Sequence, residues 1–343
     1  MSNDTANDPK LKQLKPAGRQ KFLSLALLVF IVLACLGIWS IIDKSGTFIP
    51  TSVISFMPDA KFQFAIGGEG STGENSLSEP MTVAIGDNGD IYVGDTLNSL
   101  VKVFDSKGKF KFSFGGKDLT YLPVDVAVAG KSVFVVDSKH SRIQVFDLTG
   151  RYQKPFAGPE IGKKIGAWIP SAIAVSGNGD VYAADVFYQR VIVFDKNGDV
   201  KTHFGFPGSG NGQMLYPNGI AVDSSGNVYV ADSNNQRIQI FDEKGKFVNT
   251  LNNDGQAFSF NMPRGITLSG DNLLYVVETF SHELRMLKLN KDGIKKTTVI
   301  GDRGVGDGQM NFPNDVAVKG STLGVADRAN NRVLVYHIGL LPF

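Results

Sequence analysis

A short apolar stretch with a small or branched residue at its centre recurs six times: Val83-Ala84-Ile85, Val126-Ala127-Val128, Ile173-Ala174-Val175, Ile220-Ala221-Val222, Ile266-Thr267-Leu268 and Val316-Ala317-Val318. Each follows a proline (Pro80, Pro123, Pro170, Pro217, Pro263, Pro313), and these prolines stand 43 to 50 residues apart. Proline lacks a ladder donor but suits the mouth of a strand, so it marks the start of each repeat. A second apolar strand follows, as in Val228-Tyr229-Val230, and ends on an acid: Asp95, Asp137, Asp185, Asp232, Glu278 or Asp327. The sixth copy has Gly324 where an aromatic ring stands in the others. Third strands begin at Val101, Ile143, Val191, Ile238, Leu284 and Val333, and most lead into a glycine turn of the Asp195-Lys196-Asn197-Gly198 kind. Fourth strands are predicted over 109 to 115, 151 to 157, 200 to 206, 247 to 252 and 295 to 300. None follows the sixth third strand, but a matching segment, Lys61 to Ile66, precedes the first repeat. The pattern predicts six four-stranded sheets around an axis, with the N-terminal segment completing the last and removing the open edges.

The run apolar-Tyr-apolar-Ala-Asp, then two or three polar residues, then Arg-apolar-x-apolar-Phe-Asp is clearest at Val228 to Asp242. It resembles NHL repeats, and the resemblance covers about residues 61 to 338. It implies an all-β, six-bladed β-propeller of NHL type occupying residues 61 to 343. It also implies binding through the top face, formed by the loops that join second to third strands and fourth to first strands. Tryptophan-based propeller families fit poorly, since Trp39 and Trp168 are the only tryptophans.

Composition agrees with many tight turns, the chain having 39 glycines among 343 residues against a usual share of about 7%. Residues 22 to 42 run without a charge, long enough for one transmembrane α-helix. Lys10, Lys12, Lys15, Arg19 and Lys21 precede that run against Asp4 and Asp8. Such asymmetry predicts residues 1–21 as a basic cytoplasmic tail, 22–42 as a signal-anchor, 43–60 as a linker and an extracytoplasmic propeller on a single-pass membrane protein. Lipoprotein processing at Cys35 is the alternative, opposed by the apolar continuation from Leu36 to Ile42. Cys35 is the one cysteine, so the propeller has no disulfide or thiolate chemistry. The first 21 residues carry +3 of the whole-chain +2, leaving the remainder near −1, too balanced for a nucleic-acid partner.

Arg142, Arg190, Arg237 and Arg332 each stand five residues after an acid, Asp137, Asp185, Asp232 and Asp327, and are expected to fix their loops by ion pairing. Blades one and five have Leu100 and Glu283 there instead. Trp168, Phe187, Tyr188 and Tyr216, with Arg190 beside them, are predicted to form a partner-binding patch on the top loops of blades three and four. The glycine loops Gly205 to Pro217 and Gly301 to Pro313 lack the Lys-Ser or Lys-Thr and the helix of a nucleotide site. His140 and His282, in top loops of blades two and five, are the weak metal candidates, with no third histidine to join them. The favoured function is a protein-binding scaffold without cofactor, with catalysis the less favoured role. A metal-dependent lyase or lactone hydrolase is the alternative, and a small-molecule ligand is left open.

Overall fold

The computed structural model describes residues 40–42, 48–50, 57, 59–251, 259–270, 272–290 and 293–339. The chain divides into two units, Met1–Phe56 and Met57–Phe343. In the first, Ser40–Ile42 pairs antiparallel with Phe48–Pro50. Those three residues are therefore strand rather than the end of the helix expected over 22–42, and the rest of that apolar run lies outside the described residues. Among the described residues no helix is long and apolar enough to cross a membrane.

The second unit is a six-bladed β-propeller. Blade one is Thr82–Ile85, Ile91–Asp95, Leu100–Phe104 and Phe110–Gly115, joined in that order by antiparallel pairing. Blade two is Pro123–Ala129, Ser132–Asp137, Arg142–Asp147 and Tyr152–Ala157; blade three is Pro170–Val175, Val181–Asp185, Arg190–Phe194 and Val200–Phe204. Blade four is Pro217–Val222, Val228–Asp232, Arg237–Phe241 and Phe247–Thr250; blade five is Pro263–Ser269, Leu273–Glu278, Glu283–Asn290 and Gly293–Ile300. Blade six takes Asp315–Lys319, Thr322–Asp327 and Arg332–Ile338 from the C-terminal end and Ala60–Gly67 from the N-terminal end.

The apolar runs are continuous because each inner strand is covered on both faces. Alternation then divides one strand between two cores. In blade one, Ile91 and Val93 pack toward blade six, whereas Tyr92 packs toward blade two with Phe114 and Phe146. Every pair of adjacent blades encloses such a core. At Gly324 a Cβ would already stand 3.1 Å from Val83 Cγ2 of blade one. The space an aromatic ring fills in other blades is there taken by the neighbour.

Polar bonds reinforce the same seams. The hydroxyl just after the second-strand acid donates to the carbonyl of the next blade's marker proline, Thr96 to Pro123, Ser233 to Pro263 and Thr279 to Pro313. Blade three has Val186 at that register, and Ser171 bonds Pro217 instead.

Deleting residues 1–67 removes the strand that pairs with Arg332–Ile338 and exposes an apolar edge. The truncated chain is expected to melt lower and aggregate. A monomer on light scattering with an unchanged Tm would refute closure by this strand.

Candidate functional site

The top face is built on the acid that ends each second strand. All six acids are buried, and each accepts the N–H of a residue in the loop entering the first strand. These donors are Ser78 (2.7 Å), Leu122 (3.1 Å), Ile169 (2.9 Å), Leu215 (2.7 Å), Asn261 (2.9 Å) and Asn311 (2.6 Å). A cation completes each site. Nε of Arg142, Arg190, Arg237 and Arg332 lies 2.9, 2.9, 2.7 and 2.8 Å from Asp137, Asp185, Asp232 and Asp327. Where Leu100 and Glu283 interrupt the pattern, the cation moves two residues on, to the same face of the strand. Lys102 Nζ stands 3.1 Å from Asp95 Oδ2, and Arg285 bonds the longer Glu278.

These arginines also explain the glycine loops. Arg237 donates to the carbonyls of Gly210 and Gln213, and Arg332 to those of Val305, Gly306 and Gln309. The loops turn carbonyls inward around a cation, the reverse of a phosphate cradle.

Both histidines occupy repeat slots. Three residues after the acid, Asn98, Asn235 and Asn330 bond it, and His140 Nδ1 does so at 2.8 Å from Asp137. Burial acts to raise the Asp137 pKa, but the bonds from His140, Leu122 N–H and Arg142 hold it below the usual carboxyl value. Four residues after the acid the backbone is left-handed in every blade, at Ser99, Ser141, Gln189, Gln236, His282 and Asn331. From that position Asn331 accepts the N–H of Glu79, Gln189 that of Tyr216, and His282 Nδ1 that of Phe312 at 3.0 Å, each across a blade seam. Burial and then the charge of Arg303 lower the His282 pKa, so its ring is kept neutral for that bond. Neither histidine lines the channel, and among the described residues no three His, Cys, Asp or Glu side chains converge as a metal site.

The patch expected on blades three and four is only partly at the surface. Trp168 is 2% exposed, packs on Phe194 and donates to Gly158 O, so it is corrected to a core residue. Arg190 is likewise buried, spent on Asp185 and the Ile165 carbonyl beneath the Tyr188 ring. Phe187, Tyr188 and Tyr216 do stand about half exposed, the first two edge to face at 4.9 Å. Sequence reasoning missed two companions. Leu97 (58% exposed) and Phe280 (56%) occupy the register of Phe187, two residues after the acid, in blades one and five. Lys139, Asn234 and Ala329 stand there in the alternate blades.

It also missed the channel. The first strands enclose a cavity of about 430 Å³. Near its top end, the residue before each recurring apolar stretch is Thr82, Asp125, Ala172, Gly219, Gly265 or Asp315; all but the buried Thr82 line the cavity. A Cβ on Gly265 would overlap Asp315 Oδ1, and one on Gly219 would overlap the Arg264 carbonyl, so glycine is what lets blades four to six approach. Thr82 Oγ1 lies 2.9 Å from Asp315 Oδ2 and 3.1 Å from Asp125 Oδ1, and accepts the N–H of Val126. Asp315 accepts Val83 N–H across one seam, and Asp125 accepts Ile173 N–H across another.

Thr82 has one hydroxyl hydrogen for two carboxyls. With both ionised, one would face a lone pair. With Asp315 protonated, Asp315 donates to Thr82 and Thr82 to Asp125, and every atom is satisfied. Burial raises both pKa values, and the Asp125 charge raises Asp315 further, against the bonds that favour ionisation. The signal was present in sequence as two acids at a register where other copies have Thr, Ala or Gly.

Comparison with known proteins gives the same fold. The NHL repeat model matches residues 214–241. Over 145 residues the chain is 32% identical to Protein brain tumor of Drosophila melanogaster, an alignment covering 40% of this chain and only 13% of that protein. Virginiamycin B lyase from Staphylococcus aureus is similar in structure, with a TM-score of 0.57 at 14% identity over 82% of this chain and 100% of that one. PQQ-bound aldose sugar dehydrogenase from Streptomyces coelicolor gives 0.56 at 12% identity over 82% and 99%. These likenesses are of fold. The chain carries an NHL-repeat, six-bladed propeller domain of the architecture shared by lyase and dehydrogenase propellers. The expectation that catalysis is the less favoured role is corrected accordingly, because this fold is one on which enzymes are built.

Because the folded pair holds a proton that an unfolded chain releases above about pH 4, its contribution to stability is lost as pH rises through neutrality. Asp315→Asn should therefore gain stability relative to wild type as pH goes from about 5 to about 8 in urea unfolding. A difference between the two that does not grow with pH would remove the shared proton.

Proposed function

We propose that the propeller acts on a small molecule at the top mouth of its channel, as a lyase or hydrolase with Asp125 and Asp315 as its acid and base. The observation that carries this reading is the single hydroxyl hydrogen of Thr82 between two carboxyls. Environments that separate the protonation of two neighbouring carboxyls are what assign one as acid and the other as base. Asp125, ionised, accepts a proton from substrate or water; Asp315 gives one to the leaving group. Thr82 returns the proton from Asp125 to Asp315 and resets the pair. The metal-dependent form of the reading loses its candidates, since His140 and His282 serve as loop bonds. Turnover is to be sought with the full chain on a panel of esters, lactones and substrates poised for elimination. Asp125→Asn and Asp315→Asn should each lower kcat/KM by about 10² to 10⁴. Full activity in both variants, or no turnover across the panel, would sink the assignment.

A second reading is favoured by the half-exposed Leu97, Phe187, Tyr188 and Phe280. Loop aromatics of this kind anchor protein partners, and the same face then recruits a protein beside the channel. Under this reading Phe187→Ala with Tyr188→Ala weakens cross-linked capture of that partner by about tenfold, with Tm nearly unchanged. Equal capture by both forms would exclude these rings as the contact.

A further inference from the structure

Two registers of the channel mouth are neutral in five blades and cationic in one. Immediately after the marker proline stand Met81, Val124, Ser171, Asn218, Arg264 and Asn314, all lining the cavity. Arg264 is the single charge at that register. Just after the second-strand acid stand Thr96, Ser138, Val186, Ser233, Thr279 and Arg328, of which Ser138 and Val186 also line the cavity. Both departures fall on adjacent blades, five and six.

Arg264 is unlike the arginines of the loop sites. Arg142, Arg190, Arg237, Arg285 and Arg332 each meet an acid. Arg264 Nη1 bonds a neutral group, Asn314 Oδ1 at 2.7 Å, while Nε is buried with no hydrogen-bond partner among the described residues. The guanidinium, whose Nε–Nη2 edge is the one that meets a carboxylate or phosphate side-on, thus keeps donor capacity that its neighbours do not use. Burial first, and then the charge of Arg328, lower the Arg264 pKa, so Arg328 is a second cation acting on Arg264. A largely buried cation beside a second cation is costly unless an anion joins them.

We propose that Arg264 and Arg328 form a seat for an oxyanion, a carboxylate or phosphate group of a small molecule, at the channel mouth between blades five and six. It rests on the acid–base reading only in taking that anion as part of the substrate. Asp315, on blade six, and Asp125, on blade two, line the same cavity as Arg264.

The test uses the full chain, with inorganic phosphate and acetate as separate probes at ionic strength held constant with chloride. At saturation one or both should raise the wild-type Tm by about 3 °C or more. The anion that does so tells phosphate from carboxylate recognition. Arg264→Gln, whose amide can still bond Asn314, and Arg328→Gln, on a surface turn, should each abolish the rise; the exposed Arg151→Gln should keep it. No rise in wild type with either probe, or an undiminished rise in both Arg264→Gln and Arg328→Gln, would overturn the seat. Asp315→Asn should keep the rise, so a failed acid–base assignment and a failed anion seat give different results.

Discussion

The buried acid at the end of every second strand is the constraint on which the top face depends. A carboxylate removed from water is costly by several kcal/mol unless donors surround it, and removing one partner of a buried pair costs about 3 to 5 kcal/mol. Asp232 shows how the requirement is met. It takes Leu215 N–H from the loop entering the blade, Asn235 from its own turn and Arg237 from the third strand. Three chain segments are thereby fixed at one point, and the arginine's remaining donors fix the long loop above it. Blades one and five keep the arrangement with a displaced cation, which shows that the charge balance is required and its sequence position is not.

Fixing the base of each loop frees its tip. The side chains two residues after the acid make none of its bonds, even where the backbone does, as Phe187 N–H does to Asp185, so Leu97, Phe187 and Phe280 stand exposed where Lys139, Asn234 and Ala329 stand in the alternate blades. The inner registers are constrained blade by blade instead: Gly219 and Gly265 let blades four to six approach, while Asp315, Thr82 and Asp125 bond across the seams from blade six round to blade three. Variation at tips and rim, over an invariant base, is how one repeat yields a surface with distinct sectors.

This division also explains what was legible in the sequence. Blades, closure by the N-terminal strand and the Arg–Asp pairs follow from periodic residues that every copy repeats. Trp168 misled because a large aromatic before a marker proline reads as a surface anchor, whereas the loop folds it against Phe194. His140 and His282 read as possible ligands only while viewed singly; aligned with Asn235 and Asn331 they are occupants of common slots. Asp125, Asp315 and Arg264 were legible by the same alignment, as charged residues where siblings are neutral. What alignment does not give is their convergence, because the strands that carry them are brought together only by closing the ring.

The two charged sectors of the rim stay separate for a local reason. Arg264 and Asp315 are on adjacent blades, and direct pairing would ionise Asp315 and spend the guanidinium. Asn314 intervenes: its Oδ1 accepts from Arg264 while its Nδ2 donates to Met81 O at 2.7 Å, holding the amide across the seam. The charge that acts on Asp315 is then that of Asp125, which favours the proton, and Arg264 keeps an Nε without a partner among the described residues. An aspartate at 314 would neutralise Arg264 and close the anion seat. A neutral amide there preserves both a carboxyl that holds its proton and a cation with none of its own acids to meet, side by side on one channel mouth.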